Sequence, residues 1–191
     1  MAATVKGTVV RAGHDYMRQR CTFEEWEQVL SLLPDESRTL VAHSDKTLQF
    51  PVSVDGQVFA AFARVHCGGD LGFAERELRM GGASQADAML AGVFSVFARM
   101  VSPQAAFSKA GSIITSVYTG VTHETELSAH GRGGLIKLKG LGESSYVAPW
   151  QCGWMERALI HFKATNPRVI ERSWAAGSVA SDELVYEVDW A

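Results

Sequence analysis

The sequence predicts an α+β fold, with N-terminal helices packed on a C-terminal antiparallel sheet that closes in a β-β-α-β-β unit. Three observations carry that expectation. The first half holds apolar residues at 3-4 spacing, punctuated by the pairs Gly68-Gly69 and Gly81-Gly82. The run Gly134-Leu-Ile-Lys-Leu-Lys-Gly140 alternates apolar with polar residues, as a half-buried strand does. The closing stretch, from Trp150 to Trp190, reads as one helix followed by two strands and contains four of the five tryptophans.

Taken in order, Val5 to Arg11 is rich in β-branched residues and is expected to be a short strand ending at Gly13. Thr22 and Glu25 form a capping box for a helix over 23–33, with Phe23, Trp26, Val29, Leu30 and Leu33 at helical spacing. Pro34 stops it, and Asp35-Glu36-Ser37 begins a short segment through Val41. After a polar link at Ser44-Asp45-Lys46, Pro51 to His66 repeats Val54, Val58, Phe59, Ala61, Phe62 and Val65 as a second helix, which Gly68-Gly69 ends. Leu71 to Met80 is helical with Glu75, Arg76, Glu77 and Arg79 outward. Gly81-Gly82 is expected to interrupt it before a further helix from Ser84 toward Met100. Ser102-Pro103 opens a helix that continues to Gly120. Strands over Thr122–Ala129 and Leu135–Lys139 flank the Gly-rich connection His130-Gly-Arg-Gly-Gly134. Gly140 to Ser145 is a loop, and Pro149 precedes a helix with Met155, Ala158, Leu159 and Phe162 on one face, stopped at Asn166-Pro167. Arg168–Trp174 and Leu184–Trp190 close the chain as strands about the turn Ala175 to Glu183.

At 191 residues, 47% apolar and 20% charged, the composition suits one globular domain over residues 1–191. A net charge of -3 gives no bulk attraction to nucleic acid or anionic lipid. No window approaches the ~20 consecutive apolar residues of a membrane span, and Met1 to Arg11 is unlike a secretory signal, so a cytoplasmic protein is expected. Cys21, Cys67 and Cys152 are odd in number, widely spaced and without a C-x-x-C pair, which points to reduced thiols and no metal site.

The hairpin, the helix begun through Trp150-Gln-Cys152-Gly153-Trp154, the strand, Gly177 in the turn and the last strand ending Tyr186-x-Val188-x-Trp190 are together similar to the closing unit of 4-vinyl-reductase-type small-molecule-binding domains. Those domains share a larger fold with haem-nitric-oxide-binding-associated domains and the TRAPP tethering subunits. Over residues 5–190 the chain resembles a family of this architecture abundant in myxobacteria. The resemblance implies a dimeric sensor or scaffold with an apolar ligand cavity between helices and sheet. Metal-binding members carry a cysteine cluster in the closing region, of which only Cys152 could have a counterpart here, so the resemblance implies no structural zinc. No histidine sits where it would assign an axial haem ligand, so no cofactor is expected.

No catalytic constellation is visible. Cys152 between two tryptophans could be a thiol at a helix start, but no histidine lies within a turn, and His161 is nine residues on. Cys67 beside His66 reads as a buried residue at a helix end. His14-Asp15, His123, Glu124 and Glu126 read as ordinary polar positions, His130-Gly-Arg132 as a turn rather than a phosphate loop, and Glu75–Arg76 and Glu156–Arg157 as exposed charges. Phe94, Phe97, Phe107, Tyr118, Trp150, Cys152, Trp154 and Phe162 are the candidate lining of a cavity, or else fill a solid core. The expected role is a non-enzymatic signalling or adaptor domain that binds an apolar small molecule or a protein partner, as a homodimer. A thiol enzyme or covalent sensor using Cys152 or Cys67, and a purely structural interaction module, are the alternatives.

Overall fold

The computed structural model describes residues 3–43, 49–90, 101–141, 146–175 and 183–191. In chain order the elements are β1 (Thr4–Lys6), α1 (Gly7–Arg20), α2 (Phe23–Ser31), α3 (Asp35–Ala42), β2 (Gln49–Pro51), α4 (Val52–Val65), α5 (Leu71–Leu90), α6 (Pro103–Ser108), α7 (Ala110–Val117), β3 (Tyr118–Thr119), β4 (Thr122–Leu127), β5 (Gly133–Lys139), α8 (Val147–His161), β6 (Arg168–Glu171), α9 (Arg172–Ala175) and β7 (Glu183–Asp189). This is the α+β arrangement expected. An antiparallel sheet of order β4-β5-β7-β6 carries α8, and the N-terminal helices gather around α8 and a small sheet of order β2-β1-β3.

Several elements form where local chemistry places them. Thr22 accepts the Glu25 amide at 3.2 Å while the Glu25 carboxylate takes the Thr22 amide at 2.8 Å, so both halves of the capping box are made. Ser102 accepts the Ala105 amide, with Pro103 behind it in the first turn. Gly68 and Gly69 take φ of 62° and 78° to end α4. The hairpin pairs Thr122 with Lys139 and Leu127 with Gly134, and Gly131, Gly133 and Gly134 have positive φ in and beside the connection.

Elsewhere tertiary packing overrides the local signal. The strand expected over Val5–Arg11 stops at Lys6, and Val9 and Val10 belong to α1. Its buried residues Gly7, Val10, Gly13, His14 and Met17 recur at helical spacing, and that burial outweighs the β preference of two valines. The helix expected to run from Ser102 to Gly120 breaks at Lys109 into α6 and α7, and Tyr118 and Thr119 pair with β1. Pro149 does not precede its helix but lies in the first turn of α8, where no amide is needed. The strand expected to reach Trp174 ends at Glu171, whose carboxylate accepts the Trp174 amide at 2.6 Å and the Val185 amide at 3.3 Å, capping the turn α9. The Ser44-Asp45-Lys46 link, the helix from 91 toward Met100 and most of the turn between Ala175 and Glu183 lie outside the described residues.

The largest departure is at Gly81-Gly82, which do not interrupt the chain. They sit inside one helix, α5, where it crosses α8. A Cβ on Gly81 would stand 2.1 Å from the Trp150 ring, one on Gly82 1.9 Å from the Trp150 carbonyl oxygen, and one on Gly153 2.0 Å from the Arg79 carbonyl oxygen. The two backbones touch because Gly82 and Gly153 carry no side chains at the crossing.

Two larger cores flank the crossing. One spans the inner sheet face with Ile136, Leu138, Tyr186 and Val188; the other lies among the helices with Met17, Val29, Phe62, Leu78 and Trp150. Placing alanine at Gly82 or Gly153 is expected to cost about 3 kcal/mol or more in denaturant unfolding. Gly72→Ala, on the same helix with its nearest neighbour at 3.4 Å, is expected to stabilise by about 0.5–1 kcal/mol.

Candidate functional site

Helix α8 presents different chemistry on its two sides. Trp150 and Trp154 are four apart and share a face, whereas Cys152 lies about 200° round the helix from Trp150. The tryptophan side borders a cavity of about 130 Å³ between α1, α4 to α8 and β5. Phe107, Tyr118, Trp150, Trp154 and Phe162 border it, with Ile113, Ile114 and Val117 of α7 and Ile136 and Leu138 of β5. Of the expected lining, Phe94 and Phe97 lie outside the described residues. Cys152 is a correction: it faces the sheet and a separate recess with Arg79, Glu156, Val169 and Glu171.

Among the described residues four polar side chains reach the cavity: Asp55, Gln85, Tyr118 and Gln151. Three are committed to neighbours. Gln85 donates to the Val9 carbonyl at 2.9 Å and accepts Trp150 Nε1 at 3.0 Å. Gln151 donates to the Tyr118 hydroxyl at 3.3 Å and accepts from the buried Tyr186 hydroxyl. Burial, with Asp55 adding to it, pushes the Tyr118 hydroxyl up to about 12.

Asp55 is different. It is 7% exposed, and its Oδ1 makes no hydrogen bond among the described residues. His14, 5% exposed, stands with Nε2 3.4 Å away but without hydrogen-bond geometry, and neither ring nitrogen has another partner among the described residues. A buried polar group left this way costs about 1–3 kcal/mol, more when charged. Asp55 leaves no signal in the sequence, because a single Asp inside an apolar helix repeat carries no motif.

On the opposite side of α8, Arg79 binds Glu75 at 2.9 Å, Glu156 at 3.0 Å and the Val169 carbonyl at 3.0 Å, and Glu156 accepts the Val169 amide at 2.9 Å. Glu156 is therefore part of a clamp joining α5, α8 and β6, not a free exposed charge. Asp87 accepts from Arg157 at 2.6 Å and pairs with His161 at 2.8 Å; the Arg157 bond first, then His161, holds its carboxyl below the usual range. His161 is thus engaged with α5 and not with Cys152. His66 lies beside Glu25 and not in a dyad with Cys67, and His123 packs against the bare Cα of Gly111.

No protein-family model and no curated protein matches the sequence. Solved structures do match. The H-NOX protein of K. algicida, crystallised as the unliganded Fe(II) form, superposes with a TM-score of 0.69 at 11% identity over 97% of this chain and 96% of that one, and a point variant of it with 0.71. The fold is H-NOX-like. An H-NOX protein of S. oneidensis in the Fe(II)NO state gives 0.64 at 10% identity, over 97% and 99% of the two chains.

The described residues that border the cavity of this H-NOX-like fold do not fit a haem. All six histidines are among the described residues and none borders the cavity, and among the described residues no Lys or Arg borders it to meet carboxylate substituents. Its volume of about 130 Å³ is below the roughly 300–1,000 Å³ of sites for drug-sized ligands.

The thiols are poorly placed for nucleophilic work. Burial, partly opposed by Arg79, pushes Cys152 from 9.0 up to about 12, and burial pushes Cys21 and Cys67 up to about 11. Native protein at neutral pH is expected to alkylate slowly at all three, with fast labelling only on unfolding. A raised folded-state value favours folding fully below about pH 9 and loses that contribution as pH climbs toward 12. Stability should therefore decline over that window, and Cys152→Ala should flatten the decline. A titration of unfolding free energy against pH that leaves the slope unchanged in the variant would count against this.

Proposed function

We propose that this chain is a non-enzymatic sensor domain whose cavity takes a small apolar molecule bearing one hydrogen-bond donor, in place of haem. The observation that carries this reading is a cavity of about 130 Å³ walled by aromatic and aliphatic side chains, bordered by Asp55, whose buried Oδ1 makes no hydrogen bond among the described residues. An apolar protein cavity of roughly 150 Å³ stays dry and accepts a benzene-sized guest, which sets the size class at a single ring or a few carbons. An O–H or N–H on that guest would give Asp55 Oδ1 the hydrogen bond that His14 does not make. The H-NOX-like fold supports a sensing role by analogy, since its solved neighbours include a form with NO bound to Fe(II).

The same reading takes the protein to be cytoplasmic and to act as a homodimer or through a signalling partner. Among the described residues no helix is long and apolar enough to cross a membrane. A thiol enzyme is the weaker alternative, because Cys152 lies away from the cavity and all three thiols are held neutral.

Native mass spectrometry of the purified protein is expected to show a dimer and a retained small molecule, or a dimer that takes up phenol. A persistent monomer would end the dimer assignment, and refusal of every small apolar probe would favour a pure interaction module. In thermal-shift titrations phenol should bind more tightly than benzene, and Asp55→Asn should reduce that preference about tenfold, the weight of a charge-assisted bond near 1.4 kcal/mol. Ala158→Leu fills the cavity; it should stabilise the free protein by about 1–2 kcal/mol and abolish the phenol shift.

A further inference from the structure

Three helix ends meet on the far side of the helical core. Cys21 is the residue that ends α1, Glu25 lies in the first turn of α2, and His66 ends α4. Packing of α2 on α4 brings them together although 45 positions separate His66 from Cys21 in the chain. One ligand atom from each, the Cys21 Sγ, a Glu25 carboxylate oxygen and a ring nitrogen of His66, all lie within 4.8 Å of one another. We propose that Cys21, Glu25 and His66 bind one borderline divalent cation of the Zn²⁺ type, with a coordination position left open to solvent.

Each donor is prepared for that role. The His66 ring is held by Phe62, stacked at 5.0 Å, and Phe73 at 5.8 Å. Its Nδ1 is buried, lacks a hydrogen-bond partner among the described residues and points into the cluster 3.5 Å from Glu25 Oε2. A neutral imidazole nitrogen with no proton partner is a ready ligand. Glu25 Oε2 accepts the Thr22 amide in the capping box and is also the oxygen beside His66 Nδ1, so the cap fixes the carboxylate at the cluster. The Cys21 thiol is neutral in the metal-free protein, pushed up by burial and then by Glu25 and Cys67. The thiol proton leaves to solvent as the S–metal bond forms.

The donor set decides the ion. Thiolate, imidazole and carboxylate together suit Zn²⁺, and exclude the all-oxygen preference of Mg²⁺ and Ca²⁺. Three protein ligands with all three residues partly solvent-accessible leave room for a water in the fourth position. Binding would tie α1, α2 and α4 together at their ends, so its consequence is to stiffen the helical half of the molecule.

The test is a Zn²⁺ titration of EDTA-treated protein against a chromophoric chelator, with Co²⁺ as the spectroscopic probe. The expected results are one equivalent bound, a thiolate-to-cobalt charge-transfer band, and a higher melting temperature with metal. Cys21→Ser and His66→Gln should each weaken binding at least about a hundredfold, since changes outside the ligand shell alone cost 10–100-fold. Glu25→Gln keeps both bonds of the capping box and so preserves the fold while removing the anionic ligand. It should weaken binding in the same direction. No saturable binding at one equivalent, a cobalt spectrum without the thiolate band, or affinity that survives Cys21→Ser and Glu25→Gln would overturn the proposal.

Discussion

The contact of α5 with α8 is the constraint on which the rest of the structure depends. With Gly81, Gly82 and Gly153 at the crossing, main chain meets main chain, and the Trp150 ring lies over Gly81. That ring then organises its surroundings: its Nε1 binds Gln85, Phe59 packs at 5.0 Å, and Tyr16 meets it edge-on at 5.7 Å. One turn away Arg79 reaches from α5 through Glu156 to the β6 backbone. Helices and sheet are therefore positioned by reference to one crossing, with an apolar cavity on one side of α8 and a charged clamp on the other.

What the sequence disclosed followed from interactions among near neighbours in the chain. Thr22 and Glu25, Ser102 and Pro103, and the Gly-rich hairpin connection each settle their geometry within a few residues, so their signals could be read directly. What it concealed depends on partners far along the chain. Gly81-Gly82 carry the same letters as a helix end, and only the approach of Trp150 gives them their meaning. Val9 and Val10 favour a strand until the buried stripe of α1 is known. Phe107, Tyr118, Trp150, Trp154 and Phe162 border the cavity, whereas the turn of the helix sends Cys152, the chain neighbour of two of them, to the other side of α8. Asp55, and the gathering of Cys21, Glu25 and His66, left no spacing signal, since each is defined by a meeting of separate elements.

Architecture and site chemistry part company in this chain. At 10–11% identity it keeps an H-NOX-like layout over nearly its whole length, yet among the described residues the side chains facing the cavity offer neither a histidine nor a cation. A fold is maintained by many small packing terms that tolerate substitution so long as volume and patterning persist. A cofactor site rests on a few atoms and disappears when those few residues change.

The walls of the cavity come from both cores at once: Phe59 and Trp150 belong to the helical one, Phe107, Ile136 and Leu138 to the one on the sheet. Empty, such a space is a gap in the cohesion between two packed bodies, since the atoms lining it lack neighbours on one side. Filled, it becomes part of the joint, and the stiffness of that joint is set by whatever occupies it. The Asp55–His14 pair lies where α4 and α1 meet at this joint, so a change in occupancy is also a change in how firmly those two helices are held to the sheet.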